Sequence, residues 1–186
     1  MIDELQSIDW RPAIGDPTVL GWTLVATHAV GAFLCLRAAA IDRARIGYRG
    51  ADFWQLLAAV LAFLAVNKQL DFQTLLTEIA RAAAETNGWH GHRRMVQFFF
   101  VYGLLAIGGA GLAVFVLRLR RLEPPRQWAA FGAVSLGLYV LLAAADFHHM
   151  EEFLPLTRGW RAIKVALEFS GAALIAVGAV KAGSTE

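Results

Sequence analysis

LGWTLVATHAVGAFLCLRA, residues 20–38, has His28 as its one titratable side chain before Cys35 and Arg37. At 1.5 Å per residue a helix of about 20 such residues covers the roughly 30 Å hydrocarbon core of a bilayer. Pro17 precedes the run and suits a helix start. Four further stretches read the same way, which gives spans over 18–38, 51–67, 96–117, 127–146 and 162–181. The expected fold is therefore all-α, a polytopic membrane bundle of five transmembrane helices forming a single integral membrane domain over 1–186. Composition agrees, because 58% of residues are hydrophobic, 17% are charged, and the mean hydropathy is +0.51. A soluble domain of this size could not bury that much apolar surface.

The second apolar run meets no glycine or proline between residues 51 and 87. A helix of that length would be about 55 Å long, far more than a bilayer core needs. After Val66 the pattern turns amphipathic. Leu70, Leu75, Leu76, Ile79 and Ala83 share one face, and Asn67, Asp71, Thr74, Glu78, Arg81 and Glu85 the other. This predicts an interfacial amphipathic helix after the second span. Pro124 and Pro125 are expected to stop the third span, and the glycines of AIGGAGLA, residues 106–113, to pack helices closely. Tryptophans 10, 22, 54, 89, 128 and 160 fall near span ends, as in an interfacial aromatic belt.

Five spans put the chain ends on opposite sides. The N-terminus, residues 67–95 and residues 146–161 then share one face, which carries four of the five histidines and most of the acids. The compact arginine clusters share the other. Lys and Arg divide nine to eight between the arginine-loop face and the acid-rich face. The nine lie tightly beside span ends, so the arginine loops are placed in the cytoplasm and the acid-rich face, with the N-terminus, outside. A net charge of +2 arising from such clusters indicates topology and lipid headgroups, and no nucleic acid. The acidic N-terminus argues against a cleaved signal peptide. Cys35 is the only cysteine, which rules out an intramolecular disulfide or a multi-cysteine metal site.

The candidate chemistry gathers on the acid-rich face. DFHHMEE, residues 146–152, places His148 and Glu152 four apart and His149 and Glu152 three apart, so a helix would set each pair on neighbouring positions. Imidazole with carboxylate is a shell for a divalent metal such as zinc or iron. The alternative for the same residues is a polar helix end at the headgroup layer. Asp71 follows the second span, and Arg93 and Arg94 enter the third, where they suit an anionic headgroup. Glu168 lies inside the fifth span, where a carboxylate is costly unless paired, protonated or solvated. Its structural reading is a pair with Lys164 or with an arginine of another helix. Its functional reading is an acid, a base or a ligand. His28, deep in the first span, reads as a hydrogen-bonded core histidine; haem ligation has no partner histidine at matching depth.

NKQLDFQ (67–73), GWHGHRRMVQ (88–97) and FHH (147–149), with WRPAIGDP (10–17), resemble small multi-span bacterial inner-membrane proteins. That resemblance covers most of the chain, with Phe72 and His90 departing from the pattern, and implies an inner-membrane location. It groups Asn67, Lys68, Asp71, Arg93, Arg94, Gln97, His148 and His149 and supplies no activity. Two functions stay open. One is a metal-dependent membrane enzyme acting on a lipid or other amphipathic substrate, with His148, His149 and Glu152 as ligands, Asp71 and Glu168 as acid or base, and Arg93 and Arg94 on the headgroup. The other is a non-catalytic subunit or assembly factor docking membrane protein partners.

Overall fold

The computed structural model describes residues 15–70, 93–118, 122–146 and 157–184. These form five helices: α1 (Val19–Ile46), α2 (Tyr48–Leu70), α3 (Arg93–Arg118), α4 (Pro124–Asp146) and α5 (Thr157–Ser184). No strand occurs among the described residues. Four of the helices, α1, α2, α4 and α5, are long and apolar enough to cross a membrane. In α3 the described apolar stretch is shorter, Ala106–Leu117. The protein is an all-α helical membrane bundle. Of the amphipathic segment expected after Val66, residues 67–70 continue α2 and the rest lies outside the described residues.

Local chemistry sets the helix ends. Thr18 caps α1, its hydroxyl accepting from the Gly21 N–H at 3.0 Å. Asp16 in turn accepts from the Thr18 hydroxyl at 2.6 Å and its N–H at 3.2 Å. A Cβ at position 21 would collide with the Asp16 backbone and carboxylate, so this folded-back start requires glycine. At the far end Gly47, with φ of +82°, donates its N–H to the Arg43 carbonyl at 3.1 Å. That left-handed turn suits glycine and separates α1 from α2.

The arginine loop expected after residue 38 is therefore helix. Arg43 and Arg45 sit in the last turn of a 28-residue α1, about 42 Å long. Proline also acts differently from the expectation. Pro124 and Pro125 open α4 instead of ending α3, since the first turn of a helix leaves the proline nitrogen no hydrogen bond to lose.

α1 packs along α2 and α5, α5 along α4, and α3 against α4. The α4–α5 seam is very close. A Cβ on Gly132 would lie 2.5 Å from the Gly171 carbonyl oxygen, and one on Gly178 would lie 2.6 Å from the Pro125 carbonyl oxygen. Ser135 adds a hydrogen bond across the seam to the Leu167 carbonyl at 2.9 Å. The glycines of 106–113 do less than expected: a Cβ on Gly108 would meet Leu141 at 2.7 Å, but Gly109 and Gly111 have nothing within 4 Å among the described residues.

These contacts fix direction. Gly15 of the α1 approach donates to Gln69 near the end of α2 at 2.8 Å. Gly183 lies against Ile41, and Gly178 against Pro125. Gly108 meets Leu141 while Gly137 meets Leu112. The α1–α2, α3–α4 and α4–α5 pairs therefore run antiparallel and α1 and α5 run parallel, so α1 begins at the end of the bundle opposite to that where α5 finishes. The core between α1, α2 and α5 is built from small and branched residues such as Cys35, Ala38, Leu57, Leu61, Ala172 and Ile175. Val19, Phe33, Leu56, Ile107, Leu117 and Val180 face outward, as a lipid-facing surface requires.

Candidate functional site

At the end of the bundle where α1 and α5 begin and α2 and α4 finish, the helices part into a cleft of about 610 Å³. Leu20, Leu24, Ala143 and Val165 give it apolar walls. Its floor is ionic. Lys68 of α2 lies 2.9 Å from Glu168 of α5, joining residues far apart in the chain. Glu168 is 2% exposed, whereas the Lys68 side chain keeps 19% exposure. Tyr139 of α4 shares a hydrogen bond with Glu168, and the Lys68 ammonium stands 6.0 Å from the Tyr139 ring centroid. A carboxylate excluded from water is tolerable with these two partners and expensive without them.

Glu168 is thus paired, but not with Lys164 or with an arginine as expected. On a helix Lys164 lies one turn nearer the bundle end, whereas Lys68 approaches from the facing helix. Arg161, Lys164 and Asp16 also line the cleft. Among the described lining residues, three cations therefore meet two carboxylates. Asp16 lies outside the spans, and its hydrogen bond from the Thr18 side chain holds its carboxyl below the ordinary value of 3.8.

One turn beyond Leu24, His28 is fully buried. Its Nδ1 lies 2.7 Å from the Leu24 carbonyl oxygen, as expected of a hydrogen-bonded core histidine. Its Nε2 has no hydrogen-bond partner among the described residues. Among those residues no group of three His, Cys, Asp and Glu side chains could hold a metal ion. The expected ligands His148, His149 and Glu152, and Asp71, lie outside the described residues. Arg93 and Arg94 open α3, and their side chains lie outside them too.

The opposite end holds a second ionic cluster that sequence reasoning missed. Asp42 of α1 accepts from the Arg126 guanidinium of α4 and from the Trp54 indole N–H of α2, each at 2.8 Å. Arg126 stands 6.0 Å from the Phe53 ring centroid, and Phe53 meets Trp54 edge to face at 5.0 Å. Trp54 is fully buried, so it is not part of an interfacial belt; Trp22, 49% exposed, and Trp128, 42% exposed, suit that role. Asp42 was the available signal, a lone acid between Arg37 and Arg43. Tyr139 carried no signal beyond a phenol in an apolar run. No protein-family model, no curated protein and no solved structure matches the chain.

Proposed function

We propose that this membrane protein binds an anionic amphiphile in the end cleft, with the negative group toward Lys68, Arg161 and Lys164 and the apolar tail along Leu20, Leu24 and Val165. The observation that carries this reading is the combination of an apolar-walled cleft with a partly exposed lysine in its floor. Pockets that bind small molecules are mostly apolar with a few placed polar groups. The cleft opens where a lipid headgroup or other amphiphile would arrive. In this reading the protein lies in a bacterial inner membrane, α3 completes a fifth crossing, and the cleft faces outward with the arginine-rich end in the cytoplasm. A metal-dependent step on the bound amphiphile would fall to His148, His149 and Glu152, with Asp71 and Glu168 as acid or base; their support is the sequence.

Calorimetric titration of the purified protein in nonionic detergent tests the proposal, with decanesulfonate as probe and decanol as its uncharged control. Saturable binding of the sulfonate alone is expected, weakened about tenfold by Arg161→Glu with Lys164→Glu. Equal binding of decanol, or no binding of either, would refute it. The competing subunit role draws on Gly109 and Gly111 of α3, which have nothing within 4 Å among the described residues. Co-purification of a fixed set of subunits together with a silent titration would favour that role.

A further inference from the structure

His28 presents a hydrogen-bonding problem with one solution in its tautomer. A carbonyl oxygen only accepts, so the 2.7 Å contact with Leu24 places the ring hydrogen on Nδ1. In the neutral ring Nε2 is then a bare lone pair, fully buried and lacking a donor among the described residues. Buried polar atoms without partners are uncommon and call for a reason. The same tautomer suits a metal ligand. However, the neighbouring carboxylate of Glu168 is taken by Lys68 at 2.9 Å, and the described residues offer no third ligand. What Nε2 offers is a seat for one proton.

Its surroundings say when that seat would fill. Glu168 and Lys68 lie within electrostatic reach of His28. Glu168 and Lys68 neutralise one another, and Lys68 also lines the cleft. An anion reaching Lys68 therefore puts two negative groups on one ammonium, one of them the Glu168 carboxylate at 2% exposure, where an uncompensated charge is costly. Glu168 keeps its Tyr139 hydrogen bond as a carboxylate. The other charged groups of the cleft among the described residues are Asp16 on the α1 approach and Arg161 and Lys164 on α5.

Resting on the cleft-binding reading above, we infer that anion binding in the cleft is coupled to uptake of a proton by His28. The proton comes from bulk water. An O–H bond of hydronium breaks, an N–H bond forms on Nε2, and the imidazolium offsets the charge brought by the ligand. The site would thereby take up an anion and a proton together, with no net charge entering the bundle.

Decanesulfonate keeps its charge across the working pH range, so any proton bound with it belongs to the protein. Titration in two buffers of different ionisation enthalpy should show about one proton taken up per ligand, with affinity falling about tenfold per pH unit where His28 of the free protein is neutral. Nitrogen-15 NMR of histidine-labelled wild-type protein should show Nε2 becoming protonated on ligand addition, which requires no variant to fold. His28→Gln should bind the sulfonate with a weaker, pH-independent affinity and no proton uptake. Binding without proton uptake, or an unchanged Nε2 signal, overturns the coupling while leaving the cleft reading intact. Absence of any sulfonate binding overturns both.

Discussion

Removing Lys68 should damage the fold more than neutralising Glu168, although both end the same ion pair. At an effective dielectric of about 20, unit charges 2.9 Å apart attract by about 6 kcal/mol. Desolvating the two ions opposes that gain by several kcal/mol each, so the pair adds little net stability relative to a neutral pair. Its deletion is another matter. Lys68→Met leaves the Glu168 carboxylate, 2% exposed, with Tyr139 as its described partner. A loss of about 3 kcal/mol is expected, at the lower end for a buried unpaired charge because Tyr139 remains.

Glu168→Gln leaves a lysine whose side chain is 19% exposed and lines the cleft. The ammonium can turn to water there, so the loss should be about 1 kcal/mol. Carrying both changes removes both charges and should also cost about 1 kcal/mol, which makes the coupling in a double-mutant cycle about 3 kcal/mol. Reversible unfolding in mixed micelles of nonionic detergent and dodecyl sulfate would measure all three variants. A Glu168→Gln loss equal to or larger than that of Lys68→Met would refute the reasoning. So would a coupling below about 0.5 kcal/mol.

Three further outcomes rest on other parts of the bundle. Gly171→Ala should cost about 1–3 kcal/mol, because its Cβ would lie 2.7 Å from the Leu136 side chain and 2.9 Å from the Gly132 carbonyl oxygen; Gly109→Ala, with nothing within 4 Å of its Cβ among the described residues, should be neutral or stabilising by up to about 1 kcal/mol in the same unfolding assay. Trp54→Phe removes the indole N–H bound to Asp42 and should cost about 1.5–3 kcal/mol, while Arg126→Met should cost more because it leaves Asp42 without its cation. Thr18 holds Asp16 below its ordinary carboxyl value, so this group's stabilisation is complete above about pH 4 and disappears as pH falls through the lower folded value. Thermal melts taken between about pH 5 and pH 2 should show that loss in the wild type and a flatter profile in Asp16→Asn.

Helices were legible in the sequence because each apolar run exceeds what a soluble helix of that length would carry. Their ends were less so. Residues 39–46 read as a basic loop because charge marks the edge of a hydrophobic run, whereas α1 continues until Gly47, whose positive φ turns the chain. Glu168 stood out as a carboxylate in a span, and its burial follows that reading. Its partner did not follow, because local spacing favours Lys164 at one helical turn and cannot rank Lys68, one hundred positions away. Trp54 shows the same limit. Proximity to a span end suggested the interface, but the Asp42 carboxylate on the preceding helix gives the indole N–H a buried acceptor at 2.8 Å. Close packing was expected of the densest glycine cluster, 106–113, yet single glycines at 132, 171 and 178 form the seam, since what matters is two small residues facing each other across a contact.

The two ion pairs join the same two units from opposite ends. Lys68–Glu168 and Asp42–Arg126 each tie the α1–α2 hairpin to the α4–α5 pair. Between helices in lipid, apolar surface alone gives little preference for one neighbour over another, so two buried pairs at opposite ends are an effective way to fix which helices meet and at what height. Their surroundings differ. Asp42 is enclosed by the Trp54 indole N–H and by Arg126, whose guanidinium lies over Phe53, an arrangement that secures the carboxylate from several sides. Lys68 instead borders open volume, and its carboxylate partner lies near a histidine nitrogen that has no described donor. The two cations are about equally exposed, 19% for Lys68 and 20% for Arg126, so what separates the ends is the apolar-walled cleft that Lys68 lines, and that is why the cleft end is the place to look for ligand and proton.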